Sequence, residues 1–109
     1  MKSKYAIGII CLLFIQTLSA DTVTGKVSQI WVNQKVWFRL DTMPSASNLN
    51  VECNVTARFV ADATTDKGRA IYSAILMAKA SGKEVLVVGG GNCDLHSDSE
   101  GIAYISILP

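Results

Sequence analysis

The chain has 109 residues, half of them hydrophobic, with 10 Lys and Arg against 9 Asp and Glu and a formal net charge of +1. A nucleic-acid-binding surface needs clustered cations to displace counterions, and this sequence has neither an excess nor a basic run. The length fits one small domain, with no internal repeat and no composition shift that would mark a second.

Lys2 and Lys4 precede a nearly unbroken apolar run from Tyr5 to Ile15, and a more polar tail ends in Leu18-Ser19-Ala20. That is the order of a cleavable export signal, so residues 1–20 are expected to be removed and residues 21–109 to form one secreted or periplasmic domain. A helix needs about 20 apolar residues to cross a bilayer, and this run is shorter; a retained anchor is the alternative. Cys11 lacks the small preceding residue of a lipid-attachment site and reads as an apolar passenger. Processing removes two of the basic residues and none of the acids, which turns the net charge to about −1. It also leaves Cys53 and Cys93 as an even pair, which in an exported chain predicts a disulfide. Closing a loop of about 40 residues is worth roughly 4 kcal/mol in the chain-entropy account. Two buried free thiols are the other reading.

The first strand is predicted over Val23–Val32, with Val27 and Trp31 on one face and Ile30 and Val32 on the other. After a turn at Asn33-Gln34, residues 35–41 alternate cleanly: Val36, Phe38 and Leu40 point one way, Lys35, Trp37 and Arg39 the other. A polar loop, Thr42–Asn50, leads to a third alternating run. There Val51, Cys53, Val55, Ala57 and Phe59 are expected inward, and Glu52, Asn54, Thr56 and Arg58 outward. The Asn54-Val55-Thr56 triplet matches a glycosylation acceptor but lies within this expected strand.

The period then changes to that of a helix. Thr65 or Asp66 is placed to cap its start and Gly82 to end it, with Ile71, Ala74, Ile75 and Ala78 as the core stripe. Leu76 and Met77 point away from that stripe and Tyr72 extends its edge. So wide an apolar surface predicts a second covered face, or else a small exposed patch. Glu84–Gly89 and Gly101–Leu108 read as the last two strands. The order β-β-β-α-β-β is that of a five-stranded OB-fold barrel, mostly β with one helix; an open α+β antiparallel sheet has the same order.

The loop Gly89–Gly101 is rich in glycine and acids, but a phosphate cradle would enter a helix and carry Lys with Ser or Thr. Asp94, His96 and Asp98 alternate without matching a calcium loop, whose sixth position would be Gly where this chain has Ser99. With Cys93 assigned to the disulfide, no zinc set is complete, and no metal or cofactor is expected. His96 is the only histidine, and no GxSxG or HExxH motif occurs, so the chain is not expected to be an enzyme. Trp37 and Arg39 on the outward face of the second strand, with Trp31 and Tyr104, are the ligand-binding candidates. Their rings can stack on sugars and arginine can pair with a carboxylate.

A cysteine leading into VTARF, the run DKGRAIYSAILMAKASGKEV, a second cysteine and a closing YISI strand resemble the B subunits of subtilase-cytotoxin-type AB5 toxins and related small exported bacterial proteins. The resemblance spans roughly Val27 to Ile107. It implies an OB-fold, a homopentameric ring, cell-surface glycans as ligands and an A-type subunit as partner. It would also place helices around the ring's centre and so give Tyr72, Leu76 and Met77 an interface. It carries over no glycan-binding residue. A monomeric protein-binding domain, such as an inhibitor, is the alternative function.

Overall fold

The computed structural model describes residues 20–109. The expected export segment lies outside the described residues apart from Ala20, and so does Cys11. The elements are β1 (Thr22–Val32), β2 (Lys35–Leu40), β3 (Phe59–Asp62), α1 (Asp66–Ser81), β4 (Glu84–Gly89) and β5 (Glu100–Ile107). No helix among the described residues is long and apolar enough to cross a membrane.

The strands close in the order β1-β2-β3-β5-β4, and β4 returns to β1. This is the OB-fold-like barrel, not the open sheet. The closure is uneven. β1 pairs with β4 through Thr22–Lys26 and with β2 from Val27 onward, whereas the parallel β3–β5 contact has only two registered pairs, Phe59 with Glu100 and Val60 with Gly101.

β1 serves two neighbours because it bulges between Val27 and Gln29. The extra residue, Ser28, reverses which face the later side chains occupy. Val27 is buried, Ile30 after the bulge packs against the core, and Trp31 falls on the outer face opposite Trp37 of β2. The expected sharing of one face by Val27 and Trp31 is thereby overturned, since period two holds only in an unbroken strand. Lys79 near the end of α1 donates to the bulge carbonyls of Ser28, at 3.1 Å, and Val27, at 3.5 Å.

β2 alternates as expected, with Val36, Phe38 and Leu40 in the core. β3 does not. Only Phe59–Asp62 is strand, and residues 51–58 form turns. Cys53 and Val55 are exposed, while Asn54, expected outward, is fully buried and accepts a hydrogen bond from the Arg58 N–H. The backbone here is bound by groups other than a strand ladder. Asp21 takes the N–H groups of Asn50 and Val51, Arg39 donates to the carbonyls of Thr56 and Ala57, and Thr56 N–H reaches the Asp98 carbonyl. Ala57 sits at φ 53°, a left-handed conformation that costs a non-glycine residue roughly 1–2 kcal/mol and breaks any strand.

α1 begins where Thr65 Oγ1 accepts the Gly68 N–H at 3.0 Å and ends at Gly82 in the left-handed conformation. Ile71, Ile75 and Ala78 enter the core beside Phe38 and Phe59, whose rings lie 5.8 Å apart. Tyr72 packs against the core edge, whereas Leu76 and Met77 are 44% and 59% exposed.

Cys53 and Cys93 are joined in a disulfide, as expected from the even pair. The joined residues lie in loops: Cys93 is half-buried, and Cys53 is exposed and not inward as the alternation implied.

Candidate functional site

The outer face of β1 and β2 carries a stack of aromatic and cationic side chains. Strand pairing sets Trp31 opposite Trp37, and Arg39 follows on the same face of β2. Arg58, one residue before β3, comes between the rings. Its guanidinium carbon is 5.1 Å from the Trp31 ring centre and 5.7 Å from that of Trp37. Arg39 covers Trp31 at 5.6 Å. The β4–β5 loop completes the row, because the His96 ring meets Trp37 edge to face at 5.2 Å. The order is therefore Arg39, Trp31, Arg58, Trp37, His96. In such a row each cation rests on the negative face of a ring.

Asp98 anchors the far end. Its Oδ1 lies 2.7 Å from His96 Nδ1, accepts the Ser99 hydroxyl at 2.9 Å and lies 3.7 Å from Arg58 Nη2. Burial alone would raise the Asp98 carboxyl, but the hydrogen bonds from Ser99 and His96, with the charges of His96 and Arg58, hold it below its ordinary 3.8. Arg39 spends Nε and Nη2 on the carbonyls of Ala57 and Thr56. Trp37 Nε1–H and Arg58 Nε–H are shielded and find no acceptor among the described residues. Unpartnered donors on two adjacent side chains are uncommon in a folded protein.

The structure gathers three of the four expected binding residues, Trp31, Trp37 and Arg39. Tyr104 lies apart, paired with Val88 and 55% exposed, beside Lys67, Ala70 and Ala74 of α1. Arg58, His96 and Asp98 join the site without having been named for it. Outward alternation already pointed Arg58 the right way, but the β4–β5 loop reaches β2 through ties between residues far apart in the chain: the Cys53–Cys93 link, the bonds of Thr56 to the Asp98 carbonyl and the barrel closure.

A concave feature lies elsewhere, an apolar groove of about 500 Å³ between β3, the start of α1, the loop around Leu95 and β5. The carboxylate of its Asp62 is already engaged by Thr64, and it gathers no row of cations and rings.

Among the described residues no three His, Cys, Asp or Glu side chains gather to hold a metal. The His96–Asp98–Ser99 cluster is not a nucleophile site, for Ser99 is buried and its hydroxyl donates to Asp98 instead of meeting the imidazole. The chain matches no protein-family model, no curated protein and no solved structure.

Proposed function

We propose that the chain is an exported, non-enzymatic binding protein that holds an acidic glycan on the Trp31–Trp37–Arg58 face and assembles as a ring, in the manner of AB5 B subunits. The observation that carries the reading is the row of stacked rings and guanidinium groups, Arg39, Trp31, Arg58 and Trp37, on the outer face of β1 and β2. A sugar offers C–H faces for the indoles and carboxylate or hydroxyl oxygens for the guanidinium groups of the row. The face of the barrel that carries the row is the side on which OB-folds bind extended ligands. For the ring, the support is the outward apolar pair Leu76 and Met77 on α1.

Two measurements test it. A glycan array should give signal for carboxylated sugars, abolished by Trp37→Ala. Native mass measurement should give a homopentamer, and a strict monomer at micromolar concentration sinks the ring. The apolar groove beside Leu95 favours a second reading, a monomeric domain that takes an apolar segment of another protein. A silent glycan array together with a groove-dependent protein partner recovered by pull-down would decide for it. An A-type subunit is the partner expected under the first reading.

A further inference from the structure

We infer that cleavage at the Ala20–Asp21 bond, the processing site expected from the sequence, creates a buried ion pair between the new α-ammonium of Asp21 and the Glu100 carboxylate. The inference rests on the export reading above and adds to it a structural role for the cut itself.

Glu100, the first residue of β5, is 0% exposed. Its Oε2 accepts the Gly91 N–H at 2.9 Å and the Asp21 N–H at 3.4 Å, while Oε1 has no partner among the described residues. Gly89 leaves room for it: a Cβ there would come within 2.0 Å of Oε2. No Lys, Arg or His pairs with Glu100 among the described residues. The ionisable group beside it is the carboxylate of Asp21, a like charge that is itself buried. Two buried carboxylates without a cation form a costly arrangement. Burial pushes the Glu100 carboxyl up; the Gly91 and Asp21 N–H groups pull it down and the Asp21 charge pushes it up again, leaving it above the ordinary 4.5.

Hydrolysis supplies the missing charge. Water oxygen bonds to the Ala20 carbonyl carbon, the C–N bond breaks, Ala20 leaves as a carboxylate, and the Asp21 nitrogen takes up protons to become an ammonium. That nitrogen already faces Oε2. It stays there after the cut because Asp21 is held by later residues. Its carbonyl accepts the Gly89 N–H at 2.8 Å, and its carboxylate accepts Asn50 and Val51 N–H at 2.9 and 3.0 Å. Ala20 is exposed, so the bond lies where a peptidase can reach it. A cut one residue earlier would move the ammonium away from Glu100, and one residue later would delete the Asp21 anchor.

The test uses the full chain expressed in exporting cells. Intact mass of the recovered protein should place the first residue at Asp21. A second full chain, with Gly-Ser inserted between Ala20 and Asp21, should be processed to a form whose folding equilibrium constant is about tenfold or more lower. With Glu100→Gln the two forms should become equally stable. In the wild-type processed protein the α-amino group should titrate above the ordinary range of about 8. That readout stands even if Glu100→Gln fails to fold. A chain recovered unprocessed overturns the export reading and the inference together. A first residue other than Asp21 overturns the cleavage site alone. A first residue at Asp21 with an α-amino group titrating at or below 8, or an insertion without cost, overturns the ion pair and leaves the export reading standing.

Discussion

The imidazole of His96 meets the indole of Trp37 at 86°, with ring centres 5.2 Å apart. A residue of the β4–β5 loop is thus fastened to the middle of β2, and the glycine- and acid-rich loop forms one wall of the Trp31–Trp37–Arg58 face. Asp98 holds the imidazole from the other side, so loop and barrel share a single polar and aromatic network.

Arg58 is the residue on which the row depends. Arg58→Ala should destabilise the fold by about 1–3 kcal/mol in urea unfolding, since two ring contacts and an ion pair are lost together. Arg58→Lys should recover only part of this, because an ammonium cannot lie flat between two indoles. Equal stability of the alanine variant and the wild type would show that the stack contributes nothing.

Asp98 makes acid the destabilising direction for this network. Its folded carboxyl is held below 3.8, so its contribution is present above that pH and is lost as pH falls through the folded value. Stability measured between pH 5 and 2, a range set by that shift, should fall less steeply for Asp98→Asn than for the wild type. Glu100 works oppositely wherever Asp21 is not a free amine. Its folded value is raised above 4.5, so its contribution is full below that pH and is lost as pH rises through the folded value.

Reduction should act on the site as well as on stability. The oxidised chain should weigh two hydrogens less than the reduced one. Cys53→Ser with Cys93→Ser should cost roughly 4 kcal/mol by loss of a closure spanning 40 residues. Tryptophan emission should shift to the red at the same time, because Cys93 ties down the loop that brings His96 to Trp37. Unchanged emission in a folded double variant would detach the disulfide from the binding face.

Gly89→Ala should destabilise the fold, because the side chain its methyl would meet is buried. The added methyl meets the buried Glu100 carboxylate at 2.0 Å, and overpacking of this kind costs about 1–3 kcal/mol. A midpoint of unfolding within error of the wild type would show that the carboxylate has room to retreat.

What the sequence could disclose followed from regular periodicity. The core face of β2, the caps of α1, the disulfide partners and the element order were legible because each rests on local spacing or on residue chemistry. The bulge at Ser28 and the left-handed Ala57 were not, as each breaks a period without a glycine to mark it. Residues 51–58 alternate like a strand, yet the Asp21 carboxylate and the Arg39 guanidinium take up their backbone groups from far along the chain. Two of the candidate ligand-binding residues, Trp37 and Arg39, were visible in one strand. Their neighbours Arg58, His96 and Asp98 were hidden by sequence distance.

The two registered pairs between β3 and β5 are the thinnest part of the closed sheet. Local opening follows the fewest hydrogen bonds, so the amides around Val60 and Gly101 should exchange with solvent before those of β1, which has five registered pairs with β4 and five with β2. The groove beside Leu95 borders that same line. The barrel therefore has a built-in place to breathe, and anything that wedges into the groove acts on the latch of the fold.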